Sequence, residues 1–319
     1  MTLDSLTVAG AAPEFPRDEA LRITGFPGRS LRNSQPGACM RRAHLTACML
    51  SPRPRGVKLH PMERSHHLRV ALEAAQSAAE VIRHYYRDHV EVTMKPDATP
   101  VTRADIESEE VIRQVISSAF PDHGFYGEET GGQGLDNEYL WLVDPIDGTR
   151  SFVRGYPFFS TQVALMHQGE IIVGVSSAPA FEEIAWAERG AGAWIDGQRC
   201  HVSRIERLEE AAVSSGNLRT LASGSRWANW AKVVSRVARI RGYGDFYHYH
   251  LLAAGRIDAV LESDVNILDI AALSLIVTEA GGVFTDLEGA PVALGTTSVL
   301  AGNRRIYAQV AKIMGVPAE

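Results

Sequence analysis

The sequence has no run of about 18 uncharged apolar residues, the length that a membrane-spanning helix needs. The longest candidate, residues 267–284, is interrupted by Asp269 and Glu279. Cysteine is also scarce, with three residues in the whole chain: Cys39, Cys48 and Cys200. They are too few and too scattered for a disulfide framework or a zinc site. We therefore expect no membrane partner and a reducing compartment.

Positive charge is scarce over most of the chain. The net charge is −6, but residues 1–64 carry +5, so the remainder carries −11. A body this acidic repels nucleic-acid phosphates, and no RNA- or DNA-binding motif is present. We expect no nucleic-acid partner. The 45% hydrophobic and 22% charged composition is typical of a globular protein.

Residues 1–61 lack a sustained helical or strand period and are rich in proline, glycine and arginine. We predict that they form a disordered basic leader before a folded domain at 62–319. No apolar segment follows a basic start, which excludes a secretory signal peptide. Two alternatives stay open: translation begins at Met62, which we favour, or the leader is a transit segment. We expect a cytoplasmic protein, with organellar import through the leader as the alternative.

The body alternates helical and strand periods. Helices are predicted at 66–89, 104–119, 226–239, 246–254 and 269–280. Strands are predicted at 139–143, 161–166, 171–178, 184–188, 193–196, 257–261, 283–285 and 298–301. This alternation predicts a mixed α/β protein with helices layered on sheets and no internal repeat. A subdomain starting near Ile184 is a further possibility.

Two carboxylates stand where the most apolar predicted strand ends. Asp144 and Asp147 lie three positions apart, and Pro145 fixes the turn between them. The carbonyl group of Ile146 is then expected to face the same side as both acids. Such a group of oxygen ligands suits Mg²⁺, which also keeps water for a substrate.

The next two residues extend this pattern toward anion binding. Gly148 and Thr149 offer backbone N–H groups at an expected helix start, where a phosphate can be held. The alternative is a strand-ending Asp-Pro turn followed by an Asp-Gly turn, with no ligand.

Other acidic residues could complete the site. The pair Glu128-Glu129 follows a short apolar strand, although such pairs are usually solvated surface. Asp269 opens a helical run, where an aspartate is most often an N-cap. That run is apolar on nearly every face, so we expect it to be buried. A buried carboxylate needs a cation or several hydrogen-bond donors.

Together these segments resemble the inositol monophosphatase superfamily of metal-dependent, lithium-sensitive phosphatases. Its first motif is matched by Asp144-Pro-Ile-Asp-Gly-Thr149 and its second by Asp269-Ile-Ala-Ala with Glu279-Ala-Gly-Gly282. The resemblance covers about residue 62 to the end of the chain. One departure is Leu268, where the family usually has tryptophan. The resemblance implies the layered αβαβα sugar-phosphatase fold and a homodimer.

The resemblance also implies a role for each site residue. Mg²⁺ would be held by five residues: Glu128, Asp144, Asp147, Asp269 and, through its carbonyl, Ile146. Thr149, with Asp105 as its acidic partner, would orient the attacking water, and Gly148 and Thr149 would bind phosphate. Glu129 and Lys95 would surround the metal ligands without being ligands themselves. Metal-activated water attacks a phosphate monoester without a cysteine or histidine nucleophile.

Substrate choice depends on residues beyond the metal ligands. The segment Gly242-Tyr-Gly-Asp245-Phe resembles the histidinol-phosphatase branch of the superfamily, whereas inositol-type members have a small Gly-Thr-Ala-Ala-like sequence there. Glu262 lies seven residues before Asp269, as does the substrate-contacting glutamate of inositol-type enzymes. A pair formed by Asp245 and Glu262 would complement the cationic groups of histidinol phosphate. The alternative is that Asp245 caps a helix and Glu262 is ordinary surface.

These features predict an Mg²⁺-dependent L-histidinol-phosphate phosphatase of histidine biosynthesis. The first alternative is an inositol-1-phosphate or broad sugar-phosphate phosphatase. A more distant alternative is a non-catalytic regulatory member of the superfamily that binds proteins, with the basic leader as its arm. The eleven histidines show no metal-ligand spacing, and we expect His66-His67 and His248-x-His250 to be surface or packing residues.

Overall fold

The structure, a computed structural model, describes residues 64–87, 92–94 and 100–317. The predictions for the leader, for Met62, for Lys95 and for the last residues of the first helix lie outside these ranges. The strands, sheets and helices given below are those of the described residues.

Eight strands form the larger sheet in the order β10-β9-β8-β7-β6-β5-β3-β4. Their bounds are β3 Gly124–Gly127, β4 Gly131–Gln133, β5 Tyr139–Asp147, β6 Ser160–His167, β7 Glu170–Ala178, β8 Glu183–Glu188, β9 Gly192–Ile195 and β10 Gln198–Cys200. A short antiparallel pair, β1 Val92–Met94 and β2 Pro100–Thr102, precedes it. β3 and β5 run parallel, which brings the ends of these two strands to one edge of the sheet.

Five strands form the smaller sheet in the order β12-β11-β13-β15-β14. Their bounds are β11 Ala212–Ser215, β12 Arg239–Arg241, β13 Ala259–Ser263, β14 Gly282–Thr285 and β15 Ser298–Asn303. β11 runs parallel to both of its neighbours, whereas β15 runs antiparallel to both of its own.

The helices cover both sheets. They are α1 His66–Arg87, α2 Arg103–Ala119, α3 Thr149–Val153, α4 Arg219–Ser223, α5 Trp227–Val234, α6 Asp245–Ala253, α7 Ile267–Glu279 and α8 Arg304–Met314. α1 and α2 pack on one face of the larger sheet, and α7 packs between the sheets with α6 beside it. α4, α5 and α8 cover the outer face of the smaller sheet. The predicted αβαβα layering is thereby confirmed.

Three buried apolar clusters hold these layers together, and the one around α6 and α7 lies between the two sheets. α7 is apolar on nearly every face, as the sequence predicted, because both faces of the helix contact a sheet. No helix in the described ranges has the length and apolar character needed to cross a bilayer.

Three sequence predictions differ from the structure. The helix predicted at 226–239 ends at Val234, because Arg239–Arg241 pairs with β11 as an edge strand, which helical periodicity cannot reveal. Ile184 marks no boundary, since β8 lies inside the larger sheet and the smaller sheet begins at Ala212. α7 begins two residues early, at Ile267, because Asn266 caps it.

Candidate active site

Strand β5 carries three of the predicted metal ligands, Asp144, Ile146 and Asp147, to the edge of the larger sheet. Asp144 pairs with Gln162 of β6 and Asp147 pairs with Ser160, so β5 contains one more residue than β6 between these pairs. This bulge, at Pro145 and Ile146, turns the strand so that both acids meet one another. The Ile146 amide donates a 2.9 Å hydrogen bond to Oδ1 of Asp144 and fixes the turn.

Asp269, at the start of α7, joins this pair from the layer between the sheets. One carboxylate oxygen from each of Asp144, Asp147 and Asp269 lies within 4.8 Å of the others. Asp269 is not the N-cap of α7. It accepts hydrogen bonds from the backbone N of Asn266 at 2.9 Å and from its Nδ2 at 2.7 Å, and Asn266 is the N-cap.

The acidic groups repel one another in a buried setting. Burial, followed by the charge of Glu128, raises the pKa of Asp144 well above its ordinary value. Burial, followed by the charge of Asp245, does the same to the pKa of Asp147. Burial raises the pKa of Asp269 to about 7, although the hydrogen bonds from Asn266 oppose this shift.

A cation fits this cluster. Buried carboxylates that repel one another stay ionised when a positive charge lies between them. The available donors are all oxygens, which select a hard divalent cation rather than a soft one. Glu128 belongs to the cluster electrostatically, since its charge raises the pKa of Asp144 and of Asp269.

Thr149 and Asp105 lie beside the acidic cluster. The Thr149 hydroxyl is 3.2 Å from Oδ1 of Asp105 and 3.0 Å from the carbonyl oxygen of Ile146. Asp105 is buried on α2, where its Oδ2 accepts hydrogen bonds from Thr102, at 2.8 Å from N and 2.6 Å from Oγ1. Burial raises the pKa of Asp105, and the hydrogen bonds from Thr102 and Thr149 oppose that shift.

Gly148 makes the turn from β5 into α3. It has φ +88°, a left-handed conformation that glycine adopts without strain. A Cβ at this position would lie 2.6 Å from the carbonyl oxygen of Phe158. The turn therefore requires glycine, and it places the amides of Gly148 and Thr149 at the start of the helix.

A small cavity adjoins the acidic cluster. Its lining includes the two predicted substrate residues, Asp245 and Glu262, and two of the clustered acids, Asp147 and Asp269. Asn217 and Tyr249 line it as well. Glu262 is buried, so the alternative that it is ordinary surface is wrong. Its carboxylate accepts hydrogen bonds from the Tyr249 hydroxyl at 2.9 Å and from the Asn217 backbone N at 3.0 Å.

Asp245 faces the same cavity from the start of α6. Gly244 is the N-cap of α6, and no side chain caps this helix, so Asp245 does not act as a cap. Burial and then the charge of Glu262 raise the pKa of Asp245 to about 6, and the charge of His248 acts in the opposite direction. The charge of one predicted substrate residue, Glu262, therefore acts on the other, Asp245.

Several residues of this cavity were not predicted from the sequence. Tyr249 lies four positions after Asp245 on one helix face, a spacing that could have revealed it. His248 does not line the cavity but is buried behind it, with Nε2 3.1 Å from Oε2 of Glu262, so of the predicted surface and packing roles it has the packing one. Asn217 contributes a backbone amide, for which a sequence has no signal.

His250 is also buried. Its Nδ1 lies 2.7 Å from Oε1 of Glu183, and its Nε2 lies 2.8 Å from the Ser176 hydroxyl. The structure thus places it as a packing residue with polar partners.

Glu129, predicted behind the metal ligands, is partly buried in the turn after β3. His66 is exposed, and His67 is partly buried in a stack of rings with Phe120.

Comparisons with known proteins find relatives in both sequence and structure. The profile of the Inositol monophosphatase family matches residues 63–315. A histidinol-phosphatase of Mycobacterium tuberculosis is 40% identical over 238 residues, 73% of this chain and 92% of that protein. An inositol-1-monophosphatase of Mesorhizobium japonicum is 33% identical over 262 residues, 80% of this chain and 98% of that protein. The extragenic suppressor protein SuhB of Bartonella henselae has a similar solved structure, with a TM-score of 0.73, 34% identity and coverage of 78% of this chain and 98% of that one.

Proposed function

We propose that the substrate of this chain is L-histidinol phosphate and that its metal is Mg²⁺. The chain belongs to the inositol monophosphatase family and is therefore a phosphoric monoester hydrolase. One observation carries the substrate assignment. Asp245 and Glu262 form an acidic cavity wall directly beside the carboxylate cluster. A phosphate ester with a cationic organic part matches this arrangement, because its phosphate and its ammonium group need surroundings of opposite charge.

The metal ligands we propose are the carboxylates of Glu128, Asp144, Asp147 and Asp269 with the carbonyl of Ile146. Their donors are oxygens, and their mutual repulsion is relieved by a divalent cation. When bound, Mg²⁺ neutralises the phosphate charge, lowers the pKa of a bound water and stabilises the leaving alkoxide.

The chain itself orients the reactants. Thr149, through its hydroxyl oxygen, is placed to accept a hydrogen bond from a water molecule while its own O–H donates to Asp105. The Gly148 and Thr149 amides begin a helix and can hold a phosphate oxygen. Gly148 allows the left-handed turn that places these amides, since a Cβ there would lie 2.6 Å from the carbonyl oxygen of Phe158.

The cavity wall would recognise the organic part of the substrate. Glu262 is held by Tyr249 and Asn217, so its carboxylate has a fixed position. Asp245, with its pKa raised to about 6, gains a partner when a substrate ammonium enters. The ammonium places a positive charge beside two carboxylates that otherwise repel each other, and this favours histidinol phosphate over a neutral polyol phosphate.

A second candidate is an inositol-1-phosphate or broad sugar-phosphate phosphatase. It is supported by the inositol-1-monophosphatase of Mesorhizobium japonicum, which is similar over 98% of its length. In that case Glu262 would bind a hydroxyl group and Asp245 would have no cationic partner. A regulatory member of the family that binds proteins is a third candidate, but the acidic cluster favours catalysis.

The remaining parts of the proposal concern the whole protein. We expect a homodimer in the cytoplasm, a folded domain at 62–319 and a leader at 1–61 that is dispensable for hydrolysis. Glu129 and Lys95 are expected to support the metal ligands from behind.

Replacement of Asp245 tests the substrate assignment. Asp245→Asn keeps the shape of the side chain and removes its charge. We expect kcat/KM for histidinol phosphate to fall roughly 30- to 1,000-fold, a loss of about 2–4 kcal/mol of transition-state stabilisation. The kcat/KM for inositol 1-phosphate should change little. The matched control is Asp136→Asn, an exposed aspartate in the loop before β5. Equal losses for both substrates would reject the role of Asp245.

A further inference from the structure

A buried carboxylate on α2 accepts hydrogen bonds from the turn formed by residues 128–130. Glu109 has 0% of its surface exposed. Its Oε2 accepts a hydrogen bond from the Glu129 backbone N at 2.7 Å, and its Oε1 accepts one from the Thr130 backbone N at 2.9 Å. The Thr130 hydroxyl donates a further hydrogen bond to Oε1. Both carboxylate oxygens of Glu109 therefore accept hydrogen bonds from this turn, which supplies two consecutive backbone amides and one side-chain hydroxyl.

The backbone before the turn approaches the carboxylate of Glu109 closely. A Cβ at Gly127 would lie 2.5 Å from the carboxylate carbon and from Oε1 of Glu109. On its other side the turn is fastened to β5, since the Glu128 backbone N donates a 3.2 Å hydrogen bond to the carbonyl oxygen of Val143. The backbone of Glu128 is thus held between β5, which ends in the clustered acids, and α2.

Arg113 is the cation nearest to this carboxylate, but it does not account for the arrangement. Its Nη2 is 3.9 Å from Oε1 of Glu109, beyond hydrogen-bond distance, and its guanidinium lies 4.0 Å from the ring centroid of Phe125. The Arg113 side chain also donates to the Thr130 hydroxyl, and so supports the same turn. The short contacts of Glu109 are therefore directed at the turn rather than at an ion-pair partner.

We propose that Glu109 is a positioning residue that sets the affinity of the site for its divalent cation by fixing the turn that carries Glu128. This inference rests on the proposed role of Glu128 as a ligand. The same helix carries Asp105 one turn earlier, so α2 holds the partner of Thr149 and the support of Glu128 on one rigid element. A site held in this way loses little ordering entropy when the cation binds.

Glu109→Gln tests the inference. The amide keeps the size of the side chain, but its NH₂ group confronts one of the two backbone amides that Glu109 accepts. We expect Mg²⁺ binding, measured by calorimetry without substrate, to weaken about tenfold or more. The Mg²⁺ concentration for half-maximal phosphate release should rise by the same factor, with kcat at saturating Mg²⁺ little changed. The matched control is Glu110→Gln, an exposed neighbour on the same helix, which should leave both values unchanged.

Two further variants keep the result decisive. Thr130→Val removes only the hydroxyl donor, and it should weaken Mg²⁺ binding in the same direction by a smaller factor, which decides the matter if Glu109→Gln does not fold. Glu128→Gln should weaken Mg²⁺ binding at least as much as Glu109→Gln. Wild-type affinity in Glu109→Gln beside weakened binding in Glu128→Gln would overturn the positioning role alone. Wild-type affinity in Glu128→Gln would overturn the ligand assignment and the inference with it. Neither outcome depends on which ester is the substrate.

Discussion

The hydroxyl group of Thr149 lies 3.2 Å from Oδ1 of Asp105, a residue that α2 buries and that Thr102 holds through two hydrogen bonds. The same hydroxyl is 3.0 Å from the carbonyl oxygen of Ile146. A hydroxyl has one proton, so it donates to one of these acceptors at a time. Donation to Asp105 leaves the Thr149 oxygen as an acceptor that can orient a water molecule.

This relationship predicts the effect of removing the hydroxyl. Thr149→Val keeps the shape of the side chain but cannot accept a hydrogen bond from water, so we expect kcat to fall about 100-fold or more while Mg²⁺ binding changes little. Thr149→Ser keeps the hydroxyl and is the matched control. Steady-state kinetics with a titration of Mg²⁺ check both effects. Equal activity in the valine and serine variants would exclude this role.

The acidic cluster predicts how the stability of the metal-free protein depends on pH. Burial raises the pKa of Asp269 to about 7, whereas an unfolded aspartate titrates near about 4. Between these values the folded state binds more protons than the unfolded state, so stability is present at low pH and is lost as the pH rises through the window. We expect the Tm of the metal-free protein, measured with a chelator, to fall between about pH 5 and pH 8. The increase in Tm that Mg²⁺ produces should become larger over the same range.

A variant isolates the contribution of the cluster from that of other titrating groups. Asp147→Asn removes an acid whose pKa is raised by burial and by four neighbouring carboxylates. At pH 8 without metal its Tm should lie about 2–4 °C above that of the wild type, the shift that about 1 kcal/mol produces in a domain of this size. Differential scanning calorimetry with a chelator measures this, with Asp136→Asn as the control. A lower Tm in Asp147→Asn would show that repulsion in the cluster is not costly.

The turn into α3 predicts a third result. Gly148→Ala places a Cβ 2.6 Å from the Phe158 carbonyl oxygen at a φ of +88°, so it should destabilise the protein by more than about 1 kcal/mol and lower kcat. Gly155→Ala is the matched control, because Gly155 has φ +71° and no atom within 4 Å of the added Cβ. Urea unfolding should therefore show a larger loss for Gly148→Ala. Equal losses would mean that the backbone conformation alone accounts for the cost.

Much of the candidate site is local in sequence and could be predicted. Asp144 and Asp147 follow an apolar strand within one strand-turn-helix segment, so their spacing alone predicts that they lie together. Asp269 could be predicted as a site residue because the helix that it begins is apolar on nearly all sides and is therefore expected to be buried. A buried carboxylate needs a cation or hydrogen-bond donors. The structure adds that these segments meet at one edge of the larger sheet.

The surroundings of Glu262 could not be predicted, because they come from separate elements. Asn217 reaches it from the loop after β11, and His248 and Tyr249 reach it from α6. The pairing of β11 with β13 and the packing of α6 bring these groups together, and neither leaves a mark on local periodicity. The same limitation explains the helix predicted at 226–239, whose last residues pair with β11 instead.

Removal of residues 1–61 provides a further prediction. If the folded domain starts at Met62, the truncated protein should keep the kcat, KM, Tm and oligomeric state of the full chain. Parallel kinetics, calorimetry and light scattering on both proteins test this. A truncated protein that loses its dimer or a partner in a pull-down experiment would give the leader a role of its own.

The most direct test compares phosphate release at fixed Mg²⁺ from histidinol phosphate, inositol 1-phosphate and fructose 1,6-bisphosphate, with Asp144→Asn as the inactive reference. The account predicts the highest kcat/KM for histidinol phosphate and no Mg²⁺-dependent release by the reference. Preference for a polyol phosphate would contradict the role of the Asp245 and Glu262 pair. Absence of Mg²⁺-dependent release from all three esters would contradict the proposed catalysis itself.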